Sequence, residues 1–550
     1  MSKPTPFTTL AFAAGLACAA LLLWIWRASS PPAGPAHSTA LATPPLAEKP
    51  VASSPLPAAE RDGLSAEARA MLTTLVRALA AGGVRDRETV LTFKDDDALR
   101  RFLSRAAQSR LSILGQLDAL RSVRVRFDSV GALQRELAEN AADYSSLGAN
   151  ALFGIPHPPA KQDRAAVDQV PFGNDMLAFL GATGDRSAWG RGITIAILDT
   201  GVAADTTFGV GRVQSLDIGR GLTPGHGGDD GHGTAVAALA AGLSPDAGGV
   251  APGANLLSIR VTDASGVSDL FTISQAVVAA VDAGARIINV SLGGYATGPV
   301  LDAAIGYATQ RGALIVAAAG NDQAAQLSWP AADARVVSVG AIDRAEQQVS
   351  FSNSGAQLQL TAPGYGVQTA WLDGQRVIID GTSASAPLVA GAIAAVLSLN
   401  SAFTPRAAAD LLARTANDGG APGADAAFGR GILNLATAMN SGNPAYIDTA
   451  VSSHHFDATT NQMQFVVQNR SGRSVTGMTL AVTSGTITTT SSVPSLSAGE
   501  TYVAKVPVND TALTTAGQLT FTTQLVNPTG TVDQAPANNR RTSLLTAPKP

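Results

Sequence analysis

The sequence predicts an α/β fold: a parallel sheet with helices on both faces, preceded by a small α+β unit and followed by a β-sandwich. Three observations carry this. Short apolar runs at 193–198, 255–261, 287–290 and 314–318 alternate with small-residue helical segments at 274–283, 300–310 and 388–399. That is the pattern of buried parallel strands joined by crossover helices. Residues 62–156 are charged and helix-rich, and residues 445–547 are rich in Thr, Ser and Val with strand-like runs between turns.

Taken in order, the chain opens with an uncharged stretch, 7–26, between Lys3 and Arg27. About 20 such residues span a bilayer. Segment 1–27 is therefore expected to be a signal peptide or a membrane anchor. Trp24 and Trp26 suit a membrane interface, and no small-residue cleavage site directly follows the run, which favours the anchor. Either way the remainder is exported, to a bacterial cell envelope or the extracellular medium. Segment 28–61 carries eight prolines between Pro31 and Pro57 and reads as a stiff linker.

Segment 62–165 is the α+β unit. Helical spacing covers 64–81, a strand 89–93, a helix 96–108, a strand 123–127 and a helix 130–142. Leu152-Phe153-Gly154-Ile155-Pro156 closes its last strand. Segment 166–442 is the parallel α/β domain. Segment 445–550 is an immunoglobulin-like sandwich, with strands expected at 463–468, 475–482, 501–508 and 518–526 and a short one after Arg540. His454 and His455 read as exposed loop residues.

Charge is nearly balanced, with 38 basic and 42 acidic residues, which argues against nucleic acid as a partner. Cys18 is the only cysteine, so the exported part has no disulfide and its stability must come from packing or ions.

Chemistry concentrates in four motifs. Ile195-Ala196-Ile197-Leu198-Asp199-Thr200-Gly201 is an apolar strand ending in a carboxylate. Gly231-His232-Gly233-Thr234 puts a histidine before a small-residue helix. Leu314-Ile315-Val316-Ala317-Ala318-Ala319-Gly320-Asn321 delivers a side-chain amide from a buried strand. Gly381-Thr382-Ser383-Ala384-Ser385-Ala386-Pro387 puts a serine at a turn opening a helix, whose unpaired N–H groups favour a developing oxyanion. A serine needs a base, and the base an orienting acid. The order Asp199, His232, Ser383 supplies all three, and Asn321 can donate to the oxyanion. His226, Asp229 and Asp230 are conceivable metal ligands, but their Gly-rich setting reads as a solvated loop. No metal site is predicted.

These motifs, with Ser291-Leu292-Gly293-Gly294, resemble the subtilisin family (subtilases, peptidase S8) of serine endopeptidases in order and spacing over roughly residues 172–440. The resemblance implies a three-layer subtilisin-like fold and a triad of Asp199, His232 and Ser383 with Asn321 in the oxyanion hole. It implies that Ser291, Leu292 and Gly293 pair with the substrate backbone and that Ala318, Ala319 and Gly320 line the floor of the primary pocket. No acidic residue is evident there, so a large apolar or aromatic side chain is expected before the cut bond. Protein or peptide substrates follow. By position and pattern, 62–165 is expected to be a propeptide that inhibits the enzyme intramolecularly, cut within 157–169; the alternative is an unrelated adaptor domain. Family calcium sites are not predicted, because loop 242–249 is short and lacks the asparagine-rich pattern, and no cofactor is expected to be required. Ala238 and Leu388 depart from common family residues without touching the chemistry. The competing reading, a catalytically silent surface binding protein of the same fold, would normally show a lost triad member or oxyanion donor, and all four residues are present.

Overall fold

The computed structural model describes residues 64–158, 169–203, 206–221, 229–263 and 265–547. The expected membrane span, the linker and most of the expected processing stretch lie outside the described residues.

The α+β unit comprises α1 (Ala66–Ala81), β1 (Val84–Phe93), α2 (Asp96–Arg105), β2 (Leu111–Leu117), β3 (Ser122–Phe127), α3 (Val130–Asn140) and β4 (Tyr144–Gly154). Side chains start the first two helices: Ser65 accepts from Ala68 N at 3.1 Å and Asp95 from Ala98 N at 2.8 Å. The strands form an antiparallel sheet in the order β2-β3-β1-β4. Leu72, Leu75, Phe93, Phe102, Val125 and Tyr144 fill the core between sheet and helices. β2 was not expected. It is an edge strand that buries only its two end residues, so no apolar alternation marks it.

The central domain contains β5 (Thr194–Asp199), β6 (Val213–Ser215), α4 (His232–Ala241), β7 (Asn255–Arg260), β8 (Val267–Asp269), α5 (Leu270–Asp282), β9 (Ile287–Val290), α6 (Pro299–Gln310), β10 (Leu314–Ala318), β11 (Val337–Ile342) and β12 (Leu360–Pro363). A hairpin, β13 (Val367–Ala370) and β14 (Arg376–Ile379), leads to α7 (Thr382–Leu399), α8 (Pro405–Arg414) and α9 (Leu435–Met439). Seven strands form one sheet, β12-β11-β10-β9-β5-β7-β6, with every pairing parallel. Alternation along β5 shows the layering. Ile195 and Ile197 enter the core shared with α4 and α7, while Ala196 and Leu198 enter the one shared with α5 and α6. α7 is long and apolar enough to cross a membrane, but 89% of it is buried here, so it serves as the core helix.

From β5 the chain first runs to β7 and β6 on one side, then to β9, β10, β11 and β12 on the other. The strand order reverses at β5 and β9. A crevice opens at the carboxyl ends of strands at such a switch. Asp199 ends β5, Asn321 lies three residues past β10, and α4 begins at His232.

The sandwich packs β15 (Thr449–Asp457), β16 (Gln462–Asn469) and β19 (Thr501–Pro507) against β18 (Ile487–Ser492), β17 (Thr479–Ser484), β20 (Gln518–Val526) and β21 (Arg540–Thr546). Phe465, Leu480, Phe521 and Leu525 lie between the sheets. His454 and His455 are not loop residues: both belong to β15. The His454 ring reaches Ser543 Oγ at 2.8 Å and Thr523 Oγ1 at 2.9 Å and meets Phe465 edge-on.

Candidate active site

Asp199 is fully buried. Its Oδ1 accepts from Thr200 N at 2.8 Å and lies 2.8 Å from His232 Nδ1. Glycines allow the approach. A side chain at Gly233 would meet Gly201 O at 2.3 Å, and one at Gly231 would collide with the Trp371 indole. Thr200 Oγ1 ties the two segments, donating to Asp230 O and accepting from Gly233 N, both at 3.0 Å. Small residues after His232 let α4 lie against α7, where a Cβ on Gly391 would sit 2.7 Å from Ala240 O. Burial disfavours the charged imidazole of His232. The charge and hydrogen bond of Asp199, with Asp229 nearby, outweigh that and hold its pKa above the ordinary value. Nε2, the nitrogen left for a nucleophile, is buried without a hydrogen bond among the described residues.

Ser383 is the second residue of α7, within the helix rather than before it. Gly381 precedes the helix at φ 147°, in a region that L side chains rarely adopt. A methyl group there would lie 2.9 Å from both Ser383 Oγ and Asn321 Nδ2, so those two atoms border one small space. Pro387 brings no N–H for the carbonyl of Ser383. Ser291 Oγ donates to that carbonyl instead, at 3.2 Å. Thr382, which no sequence motif singles out, fixes the amide. Its N and Oγ1 both donate to Asn321 Oδ1 at 2.9 Å, which leaves Nδ2 free to face the space beside Ser383.

That space is occupied by the chain itself. Asn321 Nδ2 donates to the carbonyl of Pro156. Gly154 N donates to Gly293 O at 3.0 Å and Gly293 N to Gly154 O at 2.9 Å. On its other edge, Leu152–Gly154 pairs antiparallel with β8. The tail of the α+β unit is thus a strand held between two edges of the central domain. The cut is expected within 157–169, whereas the carbonyl at the Asn321 amide is that of Pro156, just before that stretch.

Of the other expected substrate residues, Gly293 pairs with the tail and Gly320 lines the cleft of about 490 Å³ around it. Ser291 is turned toward Ser383 and Asn289. Leu292 and Ala319 bury their side chains in the core beneath. Asp322 also lines the cleft, where no acid was expected, and accepts from Tyr295 Oη at 2.5 Å. Of the three conceivable metal ligands, His226 lies outside the described residues. Asp230 is buried, and Asp229 Oδ2 lies 3.3 Å from His157 Nε2. Among the described residues no group of three or more His, Cys, Asp or Glu is placed to hold a metal ion.

Charge also ties the α+β unit to the central domain. Buried Asp269 meets Arg85 at 3.2 Å, Arg124 at 3.3 Å and Arg220 at 3.6 Å, and Arg85 also reaches Asp263 at 3.1 Å. Burial alone would raise the pKa of Asp269, but Arg124, the Thr272 hydrogen bonds and Arg85 hold it below the ordinary range.

The paired Asp199 and His232, and Ser383 beside the Asn321 amide, at the switch point of a parallel sheet, fit a serine peptidase of subtilisin type. The comparisons agree. Residues 190–431 match the model of the subtilase family, peptidase S8. An alkaline protease of Alkalihalobacillus alcalophilus is 30% identical over 353 residues, covering 64% of this chain and 90% of that protein. Subtilisin Savinase of Lederbergia lenta is 35% identical over 259 residues, 47% of this chain and 94% of that protein. The crystal structure of fervidolysin from Fervidobacterium pennivorans, a keratinolytic enzyme related to subtilisin, shares the fold. Its TM-score is 0.55 at 19% identity, covering 84% of this chain and 76% of that one. The chain belongs to the subtilase family.

Proposed function

We propose that the chain is an exported serine endopeptidase, made as a precursor inhibited by its own α+β unit. In this reading His232 Nε2 takes the proton of Ser383 as Ser383 Oγ attacks the scissile carbonyl. Asp199 holds the imidazole and balances its charge. Asn321 Nδ2, with the Ser383 backbone N–H at the start of α7, stabilises the oxyanion. His232 then protonates the leaving amine, and water releases the acyl group. Catalytic hydrogen bonds tighten in the substrate complex, so the unpaired Nε2 is compatible with this role.

The observation that carries the reading is the tail. Its Gly154 pairs with Gly293 in both directions, and its Pro156 carbonyl accepts from Asn321. That is how a substrate strand meets a protease edge. We assign Pro156–His157 as the bond cut on maturation. Export rests on stretch 7–26, as a signal or an anchor.

The test is expression without residues 1–27, beside Ser383→Ala, followed by intact mass and hydrolysis of casein. The parent is expected to lose everything through Pro156 and to digest casein, while the variant stays whole and inert. A parent that stays whole and inactive would sink the reading.

A further inference from the structure

We infer that Asp229 is a specificity-determining residue that receives a cationic side chain at the position immediately after the cut bond. The inference rests on the protease reading above and extends it to the leaving side of the substrate.

The tail runs into the cleft in a fixed direction. Gly154 lies against Gly293, Pro156 presents its carbonyl to Asn321, and His157 is the next residue. Its Nε2 lies 3.3 Å from Asp229 Oδ2. Asp229 sits three residues before His232 and accepts the His232 backbone N–H on its own carbonyl at 2.8 Å, so its place relative to the base is fixed by the start of α4. Its side chain is 29% exposed, half-sunk in the cleft wall. Gly266 stands opposite, and even a methyl group there would come within 3.6 Å of Asp229 Oδ2. The missing side chain leaves the carboxylate open to the cleft.

The acids around the cleft are not equivalent. Asp199 is engaged by His232, Asp322 by Tyr295, and Asp263 by Arg85. Among the described residues, Asp229 has no salt bridge besides the one to His157. Once the Pro156–His157 bond is cut and the new amino terminus departs, Asp229 keeps a half-buried carboxylate whose side-chain partner, the His157 imidazole, has left. A protonated histidine, an arginine or a lysine of an incoming peptide restores it. A glutamate or aspartate in that position meets repulsion at low local dielectric.

The experiment uses the full chain after maturation and quenched peptides that differ only after the cut bond. One series carries Phe-Gly-Ile-Pro before it, and a second replaces the proline by leucine, in case proline acylates slowly. Products are identified by mass. Arg is expected to exceed Ala by about fivefold in kcat/KM, the size of one partly exposed ion pair, with Glu below Ala. Asp229→Asn is expected to collapse the Arg-to-Glu ratio toward one. Equal rates for Arg, Ala and Glu, or a ratio that survives Asp229→Asn, would overturn the inference while leaving the protease reading intact. Failure to cut any peptide would instead remove the protease reading, and this inference with it.

Discussion

Asn321 donates its side-chain amide to the carbonyl of Pro156, a residue 165 positions earlier in the chain. The amide proposed as the oxyanion donor is thus occupied by the molecule's own tail. Asn321→Leu keeps the size and removes the donor. In the proposed mechanism it lowers kcat by about 10²–10³ with little change in KM, since the bond strengthens only as the oxyanion forms. That magnitude belongs to the corresponding asparagine of a related enzyme. Steady-state kinetics on a soluble peptide check it, and an unchanged kcat would exclude Asn321 from the oxyanion hole.

Thr382 is expected to act through Asn321. Its hydroxyl donates to Asn321 Oδ1 at 2.9 Å and accepts from Gly320 N at 3.2 Å. Thr382→Val removes both bonds at nearly constant volume. Losing the donor loosens the amide by about 1 kcal/mol, which predicts roughly fivefold lower kcat. KM should stay close to that of the parent, and Thr382→Ser should recover most of the loss. A fall confined to KM would contradict a positioning role.

The pH profile follows from His232. As the proposed base, His232 works only when neutral, and against the effect of burial Asp199 and Asp229 hold its pKa above the ordinary histidine value. The acid limb of kcat/KM is therefore expected above about pH 6.5. Asp229→Asn removes one of the stabilising charges, so its limb should move to lower pH on a substrate with alanine after the cut bond. A limb that stays put, or moves upward, would contradict the electrostatic account.

Much of the site was legible because each motif is a local event. An apolar strand ending in Asp199 or leading to Asn321, and a helix opening at His232 or Ser383, need only neighbouring residues to be recognised. The runs Ile287–Val290 and Leu314–Ala318 match the strands residue for residue, because both are buried on both faces. The start of α7 was hidden. Thr382, Ser383 and Ser385 break the apolar pattern and Pro387 argues against a helix, yet tertiary contacts through Ser291, Asn321 and the carbonyls of Ala362 and Pro363 satisfy those polar groups. β15 was missed because Ser452-Ser453-His454-His455 is polar, and its partners come from β16 and from distant Thr523 and Ser543. The seating of Pro156 and the pairing of His157 with Asp229 are contacts across long stretches of chain, which no local pattern encodes.

Docking of the α+β unit gives a further prediction. Arg124 bridges Glu88 of its own unit at 2.7 Å and Asp269 of the central domain at 3.3 Å. Arg85 holds Asp269 and Asp263 together. Removing one partner of a buried pair costs more than the pair contributes, because the other charge stays desolvated. Arg85→Ala with Arg124→Ala should therefore weaken the grip of the unit after cleavage. The lag between self-cleavage, read by mass, and the appearance of peptidase activity is expected to shorten several-fold. An unchanged lag would mean that the tail strand alone holds the proposed inhibitor.

The sandwich should respond to acid through His454. Burial, with Arg541 nearby, pushes its pKa down to about 3. In the unfolded chain it returns to about 6.5. Between those values the unfolded state binds the extra proton, so this contribution to stability falls as pH drops below about 6.5 and is fully lost near 3. Asp418, whose carboxyl is raised by burial to about 6, binds its proton more tightly when folded and so opposes that slope. The test is therefore a difference between variant and parent. His454→Gln can still pair with Ser543 and Thr523 but cannot take up a proton. Thermal unfolding between pH 7 and pH 4, carried out on the Ser383→Ala background to prevent self-digestion, should show a smaller acid loss for the variant, even if it starts less stable at pH 7. Parallel curves would mean that His454 is protonated in the folded sandwich, and its contacts with Ser543 and Thr523 would then have to be made by an imidazolium donating from both nitrogens.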